Sequence, residues 1–200
     1  MMIRVPHVAL VLAGVFILSV APAWAMTPTE QLKGSIDKIV PILEDPTLKG
    51  DAKLQERRAA IRRVASDVFD FTESARRALG PHWERRTAEE RQEFARLLGD
   101  LLERAFASRL EQYAGERIQY TGESVDGNLA TVMTTIITKS GAELPVDYRV
   151  LRRGDRWFVY DVWIEGVSLM NNYRAQFNKI IQTSSYEDLV RKLKAKQQSL

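Results

Sequence analysis

The spacing of apolar residues changes twice along this chain, and that change constrains the fold more than any other feature. Up to about residue 115, apolar residues recur at three- and four-residue steps, as in amphipathic helices. Between 116 and 165 they alternate with polar residues, as in β-strands, and from 168 to 197 the helical spacing returns. Helices, then a run of strands, then helices again predict a single α+β domain.

The helical part has clear start and stop signals. Thr-Pro-Thr-Glu at 27–30 and Thr-Ala-Glu-Glu at 87–90 are capping boxes, and each predicts the start of a helix. A second helix is predicted from about 52 to 67, and a short one is predicted to end at Gly80. The helix that begins after the second capping box is the longest, and Gly115 is predicted to end it.

Four strands are predicted in the middle of the chain. Glycine-containing turns separate them, which favours an antiparallel meander. The last strand is apolar on both faces except at Asp161, which predicts a central strand that is covered on both sides. The predicted strands are 117–122, 129–139, 144–153 and 156–164, and the helices that follow are 168–182 and 186–196.

The first 25 residues have the three parts of a secretory signal peptide. Arg4 supplies the positive charge, residues 8–21 are uncharged and almost wholly apolar, and Ala23 and Ala25 give small residues before a cleavage site. The apolar run is shorter than the roughly 20 residues that a membrane-spanning helix needs. We therefore predict cleavage near Ala25 and export; an uncleaved signal anchor is the alternative.

Charge and cysteine content limit what the exported chain can be. There is no cysteine, so neither a disulfide nor a lipid-modified N-terminal cysteine is possible, and the fold depends on its apolar core. Of 29 basic residues only Arg4 lies in the first 25, which leaves 28 basic against 26 acidic residues. This near balance does not indicate nucleic-acid binding. We expect residues 26–200 to be one soluble, monomeric domain.

Few residues suit catalysis. His82 is the one histidine after residue 25, and no nucleophile elbow, phosphate-binding loop or zinc-binding HExxH motif occurs. Asp161, among aromatic residues, is the one candidate general base. The alternative is that Asp161 accepts hydrogen bonds or pairs with an arginine such as Arg174. The sequence thus predicts no enzyme, no cofactor and no metal site.

Several segments between about residues 68 and 189 resemble the MlaC family, also called toluene-tolerance auxiliary proteins. Their order and spacing match over that whole region, whereas the chain before Val68 is similar only in being helical. The segments are Val68-Phe69-Asp70-Phe71, Ala78-Leu79-Gly80 with Trp83, the helix start Thr87 to Phe94, Val146-Asp147-Tyr148-Arg149, Trp157 to Val162, Ile164-Glu165-Gly166-Val167-Ser168-Leu169, and Asn172 to Phe177.

This resemblance implies a periplasmic phospholipid carrier of a Gram-negative bacterium. It implies an NTF2-like α+β fold, in which a curved antiparallel sheet of about four strands packs against N- and C-terminal helices around an apolar cavity. The partners implied are an outer-membrane lipoprotein complex and an inner-membrane ABC transporter with an MCE-domain protein. A hopanoid or other polycyclic lipid is the alternative cargo, and an NTF2-like enzyme that uses Asp161 is the alternative of another class.

For such a carrier, the apolar faces of the sheet and of the helices after Thr87 and Ser168 are expected to line the cavity. Arg149 and Arg174 are expected at its mouth, beside the phosphate. The expected lipid-binding residues are Phe69, Leu79, Phe94, Leu98, Leu101, Phe106, Ile136, Val146, Tyr148, Val150, Val159, Val162, Ile164, Val167, Leu169, Tyr173 and Phe177.

Overall fold

The computed structural model describes residues 26–48, 50–111, 113 and 115–198. The predicted signal peptide and its cleavage site at Ala25 lie outside these residues. Within them, no helix is both long enough and apolar enough to cross a membrane.

Four helices precede the sheet: α1 (Pro28–Glu44), α2 (Leu54–Val68), α3 (Phe71–Leu79) and α4 (Ala88–Glu111). Both capping boxes are confirmed: Thr27 Oγ1 accepts from Glu30 N at 3.1 Å, and Thr87 Oγ1 accepts from Glu90 N at 3.2 Å. The helix boundaries differ slightly from prediction. Residues 51–53 form a 3-10 turn before α2, and the chain continues beyond α3 as a 3-10 helix, Gly80–Arg85.

The sheet has five antiparallel strands in sequence order: β1 (Arg117–Asp126), β2 (Leu129–Ile137), β3 (Glu143–Arg153), β4 (Arg156–Ile164) and β5 (Val167–Ser168). The predicted meander is therefore confirmed, with β1 longer than expected and β5 an additional strand. β5 has only two residues, too few for an alternating pattern to reveal it. Gly127 (φ 58°) and Gly154 (φ 61°) adopt left-handed conformations in the tight turns, which glycine allows without strain.

Two helices close the chain, α5 (Leu169–Thr183) and α6 (Tyr186–Gln198). Helices α1 and α2 form a hairpin that packs over one face of the sheet, whereas α3 to α6 pack together beside β4. The α+β class is thus confirmed. As predicted, β4 is covered from both sides, by α1 and α2 on one face and by α3 and α5 on the other, and it lies between β3 and β5. Its outer edge is paired over a short length only, by the two residues of β5 and a bridge from Phe69 to Val159.

Most of the buried apolar residues among those described form two separate clusters. The helical core joins α3, α4, α5 and α6, and it contains Phe94, Leu97 and Leu98 at 0% exposure. Phe94 meets Phe177 edge-to-face, with ring centroids 5.6 Å apart. The second cluster lies between the α1–α2 hairpin and the sheet, and it is the one that the candidate site uses.

Candidate lipid-binding site

One face of the sheet is apolar, and the α1–α2 hairpin covers it. We call this contact the apolar seam, and it is continuous across three strands. From the hairpin it takes Leu32 and Val68, and from the sheet it takes Ala130, Val132, Val150, Trp157 and Val159, all of them buried.

A β-bulge in β4 determines which residues reach the seam. Val150 lies opposite Val159, but the residue before Val150 lies opposite Asp161, so Tyr160 is an extra residue on β4. Strict alternation would place Val159 and Val162 on opposite faces of the sheet. Because of the bulge, both face the seam, and Asp161 points to the other side.

The seam face becomes more exposed towards the turn between β4 and β5. Val146, Ile164 and Val167 follow each other in cross-strand register on this face. Val146 is buried, Ile164 is half-buried and Val167 is 59% exposed. An apolar ligand that entered the seam from this end would therefore meet apolar side chains at the surface.

The two layers of the seam are in close contact. The space between them is about 10 Å³, lined by Leu32, Val68, Val150, Trp157 and Val159 with parts of Pro28, Gln31 and Ser35. A void of this size holds about one water molecule. Between the described residues of the hairpin and the sheet there is therefore no open apolar cavity of the kind expected from the sequence.

Hydrogen bonds tie the start of α1 to the sheet. The side-chain amide of Gln31 donates to Trp157 O at 2.5 Å and accepts from Trp157 N at 2.9 Å. Thr29 N donates to the carboxylate of Glu123 on β1 at 2.7 Å. The first turn of α1 is thus attached to both β4 and β1.

The end of α2 is tied to the same end of the sheet. Asp70 N donates to Val159 O at 2.9 Å, and the carboxylate of Asp70 accepts from Arg153 at 2.6 Å. Arg156 donates to Asp67 O at 2.8 Å. The hairpin is therefore attached where α1 begins and α2 ends, and its connecting segment lies at the opposite end.

Two tyrosines place hydroxyl groups in this otherwise apolar region. Burial raises the pKa of Tyr148 to about 12, with a smaller effect from Tyr120. Burial also raises the pKa of Tyr120 to about 12, and the nearby charge of Asp37 on α1 adds to it. Both phenols therefore stay protonated at neutral pH and are available as hydrogen-bond donors.

The expected lipid-binding residues fall into two groups. One lies on the seam face or its edge: Phe69, Ile136, Val146, Tyr148, Val150, Val159, Val162, Ile164 and Val167. The other lies in or against the helical core, which the structure does not bring to the seam: Leu79, Phe94, Leu98, Leu101, Phe106, Leu169, Tyr173 and Phe177.

Sequence reasoning did not assign the hairpin and several sheet residues to the site. The seam residues it missed are Leu32, Ile36, Val64, Val68, Tyr120, Ala130, Val132 and Trp157. Their helical and alternating spacing was visible in the sequence. That spacing shows that a residue is buried, but it does not show against which element.

The two arginines expected at the mouth lie elsewhere. Arg149 is on the opposite face of the sheet, where it donates to Thr131 Oγ1 at 2.5 Å and its guanidinium lies 4.7 Å from the centre of the Trp163 ring. Arg174 lies on α5 against Gly80, so close that a Cβ on that glycine would be 2.9 Å from Arg174 Cδ. Neither position adjoins the seam, and the head-group role expected for both arginines stays a prediction.

Asp161 is fully engaged as an acceptor. Its carboxylate accepts from Ser168 Oγ at 2.5 Å, from Trp163 Nε1 at 2.9 Å and from Met170 N at 3.0 Å. These bonds fix the start of α5, where Ser168 is itself the N-cap residue. Hydrogen-bond acceptance, rather than pairing with Arg174, is thus the alternative that the geometry favours over a general base.

Comparisons with known proteins agree with this architecture. The family model described as "MlaC protein" matches residues 33–195. The intermembrane phospholipid transport system binding protein MlaC of Haemophilus influenzae is 25% identical over 138 residues, 65% of this chain. That alignment spans 64% of the relative, less than two thirds of its length.

A solved structure shares the fold. It is a phospholipid-binding protein from Ralstonia solanacearum in complex with a phospholipid, and it has 26% sequence identity and a TM-score of 0.74 to this chain. The match covers 84% of this chain and 94% of that one. Because the family model spans nearly all of the residues that form the hairpin, the sheet and the helical core, the chain belongs to the MlaC family.

Proposed function

We propose that this protein is a soluble periplasmic carrier that binds phospholipid acyl chains in the apolar seam. The observation that carries the proposal is the apolar sheet face beneath a helical hairpin whose hydrogen bonds to the sheet, among the described residues, lie where α1 begins and α2 ends. Midway along α2, Arg62 also pairs with Glu103 of α4 at 2.6 Å. The phospholipid complex of the Ralstonia protein and the name of the Haemophilus relative support the choice of cargo.

Loading requires the hairpin to separate from the sheet. Its attached end, at Gln31 and Asp70, acts as a hinge, and the end that carries the α1–α2 connection swings outward. The acyl chains then replace the hairpin side chains against Val132, Val150 and Val159. The exposed strip at Val167 leads into the seam from the surface, and the head group stays outside.

The energetics explain why such a carrier needs docking partners. Burying one methylene group is worth about 0.8 kcal/mol, so two chains of about fifteen carbons gain on the order of 20 kcal/mol before costs. This is close to the ceiling for non-covalent affinity, so release without help is very slow. Delivery therefore depends on partners that open the hairpin, for which we propose an outer-membrane lipoprotein complex and an inner-membrane ABC transporter with an MCE-domain protein.

The test is the mass and content of the exported protein. The chain with its first 25 residues is produced in a Gram-negative host, purified from the periplasm, weighed by native mass spectrometry and extracted for lipid. We expect the mass of the polypeptide from about residue 26 plus one or more phospholipids. Extraction of a hopanoid would support the carrier function but identify a different lipid as the cargo. A polypeptide without bound or extractable lipid would contradict the proposal.

A further inference from the structure

Tyr120 presents a polar group to the seam that the fold does not use. Tyr120 lies on β1, opposite Thr134 of β2, and its ring packs against the seam cluster. Its neighbour Thr134 is also buried, but the hydroxyl of Thr134 donates to Val146 O at 2.6 Å. The Tyr120 hydroxyl is buried too, and it has no hydrogen-bond partner among the described residues.

Two other tyrosine hydroxyls in the described structure have acceptors. Tyr186 OH donates to Glu90 O at 3.2 Å in the helical layer, and Tyr113 OH reaches Glu116 O at 3.4 Å. A buried hydroxyl without a partner destabilises a fold, and phenylalanine has the same shape without that cost. A tyrosine at position 120 therefore needs a partner that the polypeptide itself does not supply.

The surroundings of Tyr120 define which ligand atom can be that partner. Ile36, Val132 and Tyr148 belong to the same cluster, so a ligand that reaches this hydroxyl meets apolar side chains around it. Asp37 lies close enough to raise the pKa of Tyr120 by its negative charge, so an anionic phosphate at this point would be repelled. An uncharged acceptor attached directly to an acyl chain meets both conditions, and a carboxylic ester carbonyl is such an acceptor.

We propose that the Tyr120 hydroxyl donates a hydrogen bond to an ester carbonyl of the bound lipid, and that the seam thereby selects acyl esters over alkyl ethers. The inference rests on the proposed function, because it assumes that lipid occupies the seam. It adds a specific contact to a site that is otherwise apolar. A dialkyl ether phospholipid has the same chains and the same head group, but it lacks the carbonyl and leaves the hydroxyl unpaired.

The experiment is a competition between two matched lipids. Wild-type protein is incubated with vesicles that contain equal amounts of dipalmitoyl phosphatidylcholine and its dihexadecyl ether analogue, and native mass spectrometry gives the ratio bound. We expect wild type to favour the ester about two- to tenfold, the usual net value of one buried hydrogen bond. Tyr120→Phe should reduce that ratio to about one.

Tyr186→Phe is the matched control, since it removes a hydroxyl of the helical layer. It should keep the wild-type ratio but lower the melting temperature, because Glu90 O loses its donor. Tyr120→Phe should leave the melting temperature of lipid-free protein unchanged or raised, which a merely structural hydroxyl would not do.

Two results would overturn the inference. One is equal binding of the two lipids by the wild-type protein, and the other is an undiminished preference for the ester lipid in Tyr120→Phe. Failure of wild type to bind either lipid would instead refute the proposed function. That outcome is distinguishable because it is a loss of total binding rather than of the ratio.

Discussion

Val150 and Val167 lie on the same face of the sheet, but their surroundings are opposite. Val150 is 2% exposed and lines the 10 Å³ space of the seam, whereas Val167 is 59% exposed beside the β4–β5 turn. From the sequence alone, both were equal candidates for contact with lipid. A larger side chain therefore has different consequences at the two positions.

At Val150 we expect a tryptophan to destabilise the protein. The added volume has no space to enter, and overpacking of this kind costs about 1–3 kcal/mol. Urea unfolding should show a lower midpoint with little change in slope, since both states stay similarly compact. An unchanged midpoint would mean that the seam gives way easily and that the hairpin is less firmly packed than the buried cluster indicates.

At Val167 a tryptophan should leave stability unchanged and reduce lipid occupancy, because it obstructs the exposed strip that leads into the seam. Val125→Trp is the matched control: Val125 is 52% exposed on β1, at the other end of the sheet. Native mass spectrometry of both periplasmic variants measures the lipid-bound fraction. An equal loss of bound lipid in both variants would indicate a general effect of a surface tryptophan. It would contradict a role for Val167 in lipid entry.

Asp161 tests whether its hydrogen bonds support the fold or a reaction. Replacing it with alanine leaves Ser168, Trp163 and Met170 with unpaired donors, so we expect a loss of about 3 kcal/mol in unfolding free energy. The lipid-bound fraction of the folded protein should not change. If stability were kept while lipid binding disappeared, Asp161 would belong to the binding site and its role at the start of α5 would be secondary.

Single residues also show where sequence reasoning reaches its limit. The capping residues Thr27 and Thr87 were predictable because a helix start depends on a few adjacent positions. The bulge at Tyr160 was not predictable, since it arises from pairing with β3 and reverses the alternation that places Val162. The apolar residues of β4 are accordingly shared between the seam and the side that faces α3 and α5.

At the scale of elements, the choice of covering helices was the main error. The sequence gives α1, α4 and α5 similar apolar stripes, and the expectation was that α4 and α5 lie over the sheet. In the structure, α1 and α2 cover it, while the stripes of α4 and α5 pack against each other and α6. A stripe of apolar residues on a helix predicts that this face of the helix is buried, but not which element it packs against. The strands and their order were therefore predictable from the sequence, whereas the helices that cover the sheet were not.

The hairpin attachment can be weakened without replacing an apolar residue of the seam. Gln31→Ala removes both side-chain bonds to Trp157, so the start of α1 should detach more often. We expect a loss of about 1–2 kcal/mol in stability and faster exchange of a fluorescent phospholipid between protein and vesicles. Gln55→Ala, at an exposed position of α2, is the control and should change neither. Unchanged exchange in Gln31→Ala would place the hinge elsewhere.

At the scale of the whole molecule, the helical core and the seam are two separate hydrophobic cores, to which we assign different roles. The helical core is packed without residues from the seam, and Ser74 and Asp161 connect it to β4 by hydrogen bonds. We expect it to stay folded while the α1–α2 hairpin moves, a movement that breaks the ion pair between Arg62 of α2 and Glu103 of α4. A single shared core would have to be disrupted each time lipid entered, since close-packed interiors do not deform gradually.

This division predicts how lipid changes hydrogen exchange across the protein. Lipid bound in the seam should alter exchange in α1, α2 and the strands beneath them, because these elements separate to admit it. Amides of α4 and α5 should exchange at the same rate with and without lipid. The measurement compares delipidated protein with protein reloaded from phosphatidylcholine vesicles, with peptides resolved by mass spectrometry.

A change of exchange in the helical core instead of the hairpin would support the prediction from the sequence that helices α4 and α5 contact the lipid. Protection concentrated at Phe94, Leu98 and Phe177 would mean that acyl chains enter the helical core. That core would then have to open although Phe94 and Leu98 are completely buried and Phe177 is 4% exposed. Opening it would expose the aromatic contact between Phe94 and Phe177 as well as the packing of α6, whereas opening the seam separates only one hairpin from one sheet face. The smaller rearrangement is the reason we expect the change in the hairpin.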